Sequence, residues 1–153
     1  MPDSQQTLDK MAAEIFELYR LIALARSRRP SGPDDLSEAE FLTLDLLTKQ
    51  QPRTIGEIQK EIGVLPAQMS RIVRALEEQG GRGYVECKIN ARDRRRIDVS
   101  LTEGGAKAYD TYRSARLGSM YEILRVLPPN DRIEFMRMLG QIRDAFADKI
   151  AAG

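Results

Sequence analysis

The fold is decided by residues 54–102, which read TIGEIQKEIGVLPAQMSRIVRALEEQGGRGYVECKINARDRRRIDVSLT. In the first half, apolar residues three and four apart predict two short helices, separated by Gly63–Leu65. In the second half, two short runs that roughly alternate apolar and polar residues, Tyr84–Ile89 and Ile97–Leu101, predict two strands. A loop dense in arginine joins these strands. The stretch therefore predicts a helix, a turn, a second helix and a β-hairpin.

Local signals set the ends of the two helices. Thr54 and Glu57 have the spacing of a capping box, in which each side chain bonds the other residue's backbone amide. Gly63 suits the left-handed position that follows a helix, and Pro66 suits the first turn of the next one. The second helix is predicted to extend to about Gln79, and the two apolar faces are formed by Ile55, Ile58 and Ile62, and by Met69, Ile72, Val73 and Leu76.

Two further helices are predicted upstream. The first extends from about Gln5 to Arg28, is expected to bury a broad apolar stripe, and is ended by Pro30-Ser31-Gly32-Pro33. The second opens at a capping box of Ser37 and Glu40 and closes at Gln51-Pro52. The apolar residues of the first are Leu8, Met11, Ile15, Leu18 and Ile22, and those expected inward on the second are Phe41, Leu42, Leu44, Leu46 and Leu47.

Two more helices are predicted downstream. One opens at Thr102-Glu103 and extends to about Val126, where Pro128-Pro129 stops it. The last extends from about Asn130 to Ile150, and its stripe consists of Phe135, Leu139, Ile142, Phe146 and Ile150. The stripes of the first and last helices must be covered. They can cover each other within one chain, or they can meet a second copy.

Composition limits the possible functions. The 153 residues, 42% hydrophobic and 31% charged, suit one globular domain. With no histidine and one cysteine, zinc sites and histidine-based catalysis are excluded, and the single cysteine favours a reducing, cytoplasmic setting. No apolar run is long enough to span a membrane, and no phosphate-binding loop or cofactor motif is visible. The net charge of +1 does not by itself indicate a nucleic-acid partner.

The outer face of the helix that begins at Pro66 is a candidate for reading DNA. Geometry at 100° per residue points Ala67, Arg71 and Arg74 outward, with Gln68 and Ser70 beside them. Arginine can bond guanine with both arms, glutamine can do the same with adenine, and serine can bind phosphate. The alternative is an ordinary solvated helix face, since exposed arginines are common.

The arginine-rich loop provides a second signal. Residues 82–96 contain six Lys or Arg and two acidic residues, so this segment carries about +4 and the rest of the chain about −3. Such a local concentration is typical of a polyanion-binding surface. We therefore expect Arg92, Arg94 and Arg95 to engage DNA backbone or minor groove, and Asp93 to stiffen the tip by pairing with a neighbouring arginine. A solvated charged turn is the alternative.

These residues resemble the MarR family of winged-helix regulators. The resemblance lies in Asn90-x-Arg92-Asp93-x-Arg95 and Leu101-Thr102-x-x-Gly105, supported upstream by residues 69–73 and 76–80. It implies a mainly α fold with a small β-hairpin wing: a winged helix-turn-helix at about 37–101, flanked by dimerisation helices at about 5–29 and 102–150. It also implies a homodimer on pseudo-palindromic double-stranded DNA, often released by a small, frequently phenolic ligand. At matching positions it assigns DNA contact to Ser70, Arg71, Arg92 and Arg95.

The chain departs from the family pattern at three places. Asn90 replaces the usual aspartate, the link Gly80–Gly83 is about three residues longer and is expected to loosen the joint, and Cys87 stands where a basic residue is frequent. Lys88 and the nearby arginines could lower the pKa of Cys87 and make it redox-active, or it can be an inert strand residue. Four tyrosines could either line a ligand pocket or pack in the core, and these are Tyr84, Tyr109, Tyr112 and Tyr121.

The sequence thus predicts a dimeric DNA-binding transcription regulator, a repressor rather than an activator, that needs no cofactor. Ligand binding or oxidation would change the spacing of its two halves. The alternative is a winged-helix module that binds a protein and not DNA. The protein is not expected to be an enzyme: acid–base work on Asp, Glu or Lys is formally possible, but no converging carboxylate pair or phosphate loop is visible. The operator, the effector and the regulated genes cannot be read from the sequence.

Overall fold

The computed structural model describes residues 4–29, 32 and 35–153, and the chain divides into two compact units, residues 1–35 and 36–153. The first unit contains α1 (Ser4–Ser27), whose bounds agree with the prediction to within one residue. No residue of α1 is buried within the single chain, so the predicted burial of its apolar stripe is not found there. Of the predicted stop, Pro30, Ser31 and Pro33 lie outside the described residues.

The second unit follows the predicted order of elements. Two elements were not predicted: a two-residue strand before α3 and a 3₁₀ turn at Gln79–Gly81. No helix in the described part of the chain is long and apolar enough to cross a membrane. The elements are α2 (Glu38–Lys49), β1 (Arg53–Thr54), α3 (Ile55–Ile62), α4 (Pro66–Glu78), β2 (Val85–Ile89), β3 (Ile97–Leu101), α5 (Glu103–Leu124) and α6 (Pro129–Ala152).

The sheet has three antiparallel strands in the order β1-β3-β2. The predicted hairpin of β2 and β3 is confirmed, with Cys87 opposite Val99. The prediction of a hairpin alone was incomplete, because β1 adds a third strand in which Arg53 pairs with Val99 and Thr54 with Asp98. This short strand fixes the base of the wing to the start of α3.

The two predicted capping boxes and the predicted glycine after α3 are confirmed. Ser37 Oγ accepts from the Glu40 amide at 3.2 Å, while the Glu40 carboxylate accepts from the Ser37 amide at 2.9 Å. Thr54 and Glu57 repeat this box at 3.2 and 2.8 Å. Gly63 has φ 70°, the left-handed conformation expected after α3. These caps hold α2 and α3 at fixed starting points.

The core lies between α2, α3, α4 and the sheet. The predicted face of α4 is confirmed, since Met69, Ile72, Val73 and Leu76 are all buried. On α2 the expected inward set was partly wrong: Leu44 and Leu47 are buried and Phe41 and Leu46 partly so, but Leu42 is 40% exposed. The described residues with essentially no exposure are Thr43, Leu44, Leu47, Ile58, Met69, Leu76 and Val99.

Aromatic and polar contacts join α2 to α5. The ring of Phe41 stacks on Tyr109 with centroids 5.6 Å apart and packs against Tyr112 at 5.0 Å. The Tyr109 hydroxyl donates to the Asp45 carboxylate at 2.6 Å. Tyr84 and Tyr112 are buried as well, so three of the four tyrosines belong to the packed interior rather than to an open pocket.

The far end of α5 and nearly all of α6 are exposed. No residue of α6 is buried within the single chain. A cavity of about 380 Å³ lies between the end of α5 and α6, and its lining is mainly apolar. The fourth tyrosine, Tyr121, lies on its wall with Leu124, Arg125, Leu127, Arg132, Phe135, Met136 and Leu139.

The Leu-Thr-x-x-Gly motif locks the sheet to α5. The Thr102 amide donates to the Tyr84 carbonyl at 3.1 Å. The Thr102 hydroxyl donates to the Gly83 carbonyl at 2.8 Å and accepts from the Gly105 amide at 3.0 Å. A side chain on Gly105 would collide with the Tyr84 carbonyl oxygen. The glycine is therefore required by close approach of backbone to backbone.

Replacing Gly105 with alanine should destabilise the fold by about 1–3 kcal/mol, because backbone cannot yield as a flexible side chain can. The neighbouring Gly104→Ala is the matched control, since its added Cβ would meet only ordinary contacts at 3.6 and 3.7 Å. That control should unfold at the wild-type denaturant concentration or slightly above it. Urea unfolding followed by circular dichroism measures both, and equal midpoints would contradict the assigned role of Gly105.

Candidate nucleic-acid interface

The outer face of α4 presents the predicted polar residues to solvent. Ala67, Gln68, Ser70, Arg71 and Arg74 are all exposed, opposite the buried face of the helix. The N-cap residue Leu65 supplies no side-chain hydrogen bond. The first turn of α4 therefore offers backbone amides that its own cap does not occupy.

The side chains on this face differ in whether they already form contacts within the protein. Arg71 and Arg74 form no ion pair with another described residue, so both guanidinium groups are available. Ser70 Oγ donates to the Pro66 carbonyl at 3.2 Å, so it must give up that bond before it can donate to a phosphate. Gln68 lines a shallow cleft between α2 and α4 together with Ser37 and Ile72.

The wing tip has two kinds of arginine. The side chains of Arg92 and Arg94 make no ion pair within the described chain. Arg95 donates from Nε to Asp93 Oδ1 at 3.1 Å and from Nη2 to Oδ2 at 3.3 Å, yet its side chain is 90% exposed. Arg96 approaches the same carboxylate at 3.5 Å. The predicted pairing of Asp93 with a neighbouring arginine is confirmed.

Asp93 is held in its charged form by its arginine neighbours. Hydrogen bonds from the Arg95 side chain and amide lower the pKa of the Asp93 carboxyl below its usual value, and the charge of Arg96 adds to the effect. One carboxylate therefore orders two guanidinium groups without leaving the tip neutral. The tip keeps a net positive charge directed to solvent.

A groove of about 550 Å³ lies between the start of α3 and the base of the wing. Ile55 and Ile97 line it beside the Glu57 carboxylate and three cations, which are Lys60, Arg95 and Arg96. Sequence reasoning omitted Lys60 and Arg96 from the candidate site. No local pattern could have identified Lys60, because only the pairing of β1 with β3 brings α3 next to the wing.

The glycine-rich link between α4 and β2 is fixed, contrary to the expectation that it loosens the joint. Gly81 and Gly83 adopt positive φ values of 75° and 78°. The Gly83 amide donates to the Gln79 carbonyl at 2.8 Å, and the Tyr84 amide donates to the Leu76 carbonyl at 2.6 Å. A side chain on Gly83 would collide with the backbone of Glu77. The extra residues form a tight turn that sets the direction of β2.

Cys87 lies in an environment opposite to the one that a reactive thiol needs. Burial and a hydrogen bond to Glu77 raise the pKa of the Cys87 thiol to about 12. Of the two alternatives for Cys87, this environment favours an inert strand residue over a redox-active thiol. Glu77 reaches the strand from α4, a neighbour that spacing in the sequence does not reveal.

Comparison with known proteins relates the chain to one family. Residues 36–97 match the model of the MarR family. An uncharacterised HTH-type transcriptional regulator of Mycobacterium bovis is 29% identical over 141 residues, covering 92% of this chain and 94% of that protein. The matched segment contains the sheet strand β1, the helices α2 to α4 and the whole wing loop.

Two solved structures share the fold. The YusO protein of Bacillus subtilis superimposes with a TM-score of 0.73 at 19% identity, covering 94% of this chain and 99% of that one. Streptococcus pneumoniae FabT, solved in complex with DNA, superimposes with a TM-score of 0.66 at 21% identity, covering 95% of this chain and 99% of that one. At these identities the likeness shows a common winged-helix architecture.

We expect Cys87 to react with iodoacetamide at pH 8 at least about tenfold more slowly in the folded protein than in urea, because the thiolate is the reacting species. Since folding raises its pKa, the difference should persist above the ordinary thiol pKa and narrow only as the pH approaches about 12. Glu77→Gln removes the facing negative charge and should speed alkylation of the folded protein. Equal rates for folded and unfolded protein would contradict the assigned environment.

Proposed function

We propose that this chain, of which residues 36–97 match the model of the MarR family, is a sequence-specific regulator of that family that binds double-stranded DNA as a homodimer. The observation that carries the proposal is the joint exposure of two basic surfaces, the outer face of α4 and the wing tip. One core and one sheet hold both surfaces at fixed positions.

In this proposal α4 enters the major groove as the second helix of the helix-turn-helix. Its unpaired Arg71 and Arg74 are free to bond base edges or phosphates, and Gln68 stands at the N-terminal end that reaches the bases. Ala67 leaves room for close approach. Ser70 positions the helix through phosphate, after releasing its bond to the Pro66 carbonyl.

The wing engages the flanking DNA backbone or minor groove. Arg92 and Arg94 meet it with unpaired side chains, while Arg95 approaches with its orientation set by Asp93. The groove between α3 and the wing adds Lys60 to the same surface. The cations of this groove suit the phosphates of the DNA backbone and its isoleucines suit the sugars, while the Glu57 carboxylate also lies on its wall.

Apolar surface supports the homodimer. Neither α1 nor α6 buries any residue within one chain, and such continuous apolar stripes are typical of protein interfaces. A two-fold pair would place two α4 helices about 34 Å apart, one DNA turn, and so favour a pseudo-palindrome. Exposed apolar residues on α6 are Ile133, Met136, Met138, Leu139, Ile142, Phe146 and Ile150.

The proposal also includes repression that a small aromatic or phenolic ligand relieves. The family resemblance implies such a ligand, and the cavity between α5 and α6 supplies apolar walls with Tyr121, Arg125 and Arg132 at its edge. Ligand there would change the spacing of the two halves of the dimer. Adding simple phenols to a DNA-binding assay tests this part, since undiminished binding at saturating phenol removes it.

Removing the wing charge should weaken binding to every DNA sequence. In the double variant Arg92→Ala/Arg95→Ala, we expect the slope of log affinity against log salt concentration to become shallower by about 1–2. The reason is that a protein with fewer phosphate contacts releases fewer counterions when it binds. The matched control, Arg92→Lys/Arg95→Lys, keeps the charge and should keep the slope. Fluorescence anisotropy on one duplex at several salt concentrations measures both, and an unchanged slope in the alanine variant excludes the wing from the interface.

Selection of bound sequences from random duplex DNA tests the whole proposal. The wild-type protein should enrich a palindromic sequence, and Arg71→Ala should lose discrimination at one position of each half-site by about 1–3 kcal/mol, because a two-armed contact to guanine is lost. Failure to enrich any sequence, without salt-dependent duplex binding, would instead favour a winged-helix module that binds an acidic protein.

A further inference from the structure

Asn90 directly follows β2, at the start of the wing tip. Its backbone amide donates to the Arg96 carbonyl at 2.9 Å, and this bond closes the loop at its base. Its side-chain Oδ1 accepts from the amides of Arg92 and Asp93, both at 2.9 Å. One residue thus shapes the first half of the tip.

The other end of the Asn90 side chain faces Asp98 on β3. Nδ2 donates to Asp98 Oδ1 at 2.8 Å. This orientation of the side-chain amide is the only one that satisfies both sides, because two N–H donors face Oδ1 and a carboxylate faces Nδ2. Both residues are only partly exposed, so the bond is sheltered from water at the edge of the sheet.

The arginines depend on this arrangement in two steps. Asn90 fixes the backbone of Arg92 and Asp93. Asp93 then holds Arg95 through its amide and its guanidinium group, and receives Arg96 as well. The chain of contacts from Asp98 through Asn90 to Asp93 therefore determines where the arginines lie.

Asp98 makes the amide at position 90 necessary. An aspartate there could still accept from the two backbone amides, but its second oxygen would face the Asp98 carboxylate at hydrogen-bond distance. Two like charges so close repel strongly, and neither could donate. The replacement of the usual aspartate by Asn90 is thus matched to the carboxylate across the hairpin.

We propose that Asn90 and Asp98 form a positioning pair that sets the direction in which the wing arginines meet DNA. The contribution to DNA binding rests on the proposed function above. The contribution to the shape of the wing tip does not, and it can be measured on the protein alone.

Exchanging the two residues separates geometry from charge. Asn90→Asp should weaken duplex binding about tenfold, the range expected when a hydrogen bond to a charged group becomes a repulsion. The exchanged double variant, Asn90→Asp/Asp98→Asn, has the wild-type net charge and a donor at position 98 that faces the new carboxylate. It should recover wild-type affinity to within about twofold.

Ala91→Asp is the matched control for charge. It adds one negative charge at an exposed neighbouring position without breaking the pair. Its loss of affinity should be clearly smaller than that of Asn90→Asp. Thermal unfolding of every variant verifies that the body of the protein stays folded, as expected for changes at the end of the hairpin.

Trypsin provides a readout that needs no DNA. Asn90→Asp and the exchanged double variant have identical sequences from Arg92 to Arg96, so any difference in cleavage there reports the order of the tip. Faster cleavage in the single variant, reversed in the double variant, supports the pair. Equal cleavage in both, or binding that the exchange does not recover, overturns it. If the wild-type protein binds no duplex, the proposed function fails while the cleavage test still decides the pair.

Discussion

The close approach of the Tyr84 carbonyl to Gly105 is the constraint on which the arrangement of the site depends. At this point the end of α4, the start of β2 and the start of α5 meet, joined by bonds from the Tyr84 amide to Leu76 and from Thr102 to Tyr84 and Gly83. Because these contacts are backbone to backbone or use a single short side chain, they leave little room for rotation. These contacts therefore tie the end of α4 and the start of β2 to the start of α5.

Local chemistry made most of the fold predictable. The capping boxes at Ser37 and Thr54 and the left-handed Gly63 depend on residues within one helical turn, so sequence spacing was enough. The strand β1 was missed because two residues form a strand only through pairing with β3, more than forty positions away. Leu42 was misplaced because five apolar residues within seven positions exceed what one helix face can bury.

In the candidate site too, the features set by residues close in sequence were predictable and those set by distant residues were not. The outward face of α4 followed from periodicity, and the pairing of Asp93 followed from its adjacent arginines. The properties of Cys87 and the position of Lys60 depend on neighbours from other elements, Glu77 on α4 and the tip beside α3. Sequence spacing carries no information about those neighbours, so it could not decide between a reactive and an inert thiol at Cys87.

The acidic residues of the wing order its basic tip. Asp93 and Asp98 reduce the charge of the wing, but each carboxylate accepts hydrogen bonds that order the loop. A tip of arginines alone would attract phosphate more strongly and would have no fixed shape, because its like charges repel and its backbone amides lack acceptors. Attraction and direction are thus supplied by different residues: the arginines face outward, and the carboxylates with Asn90 hold them in place.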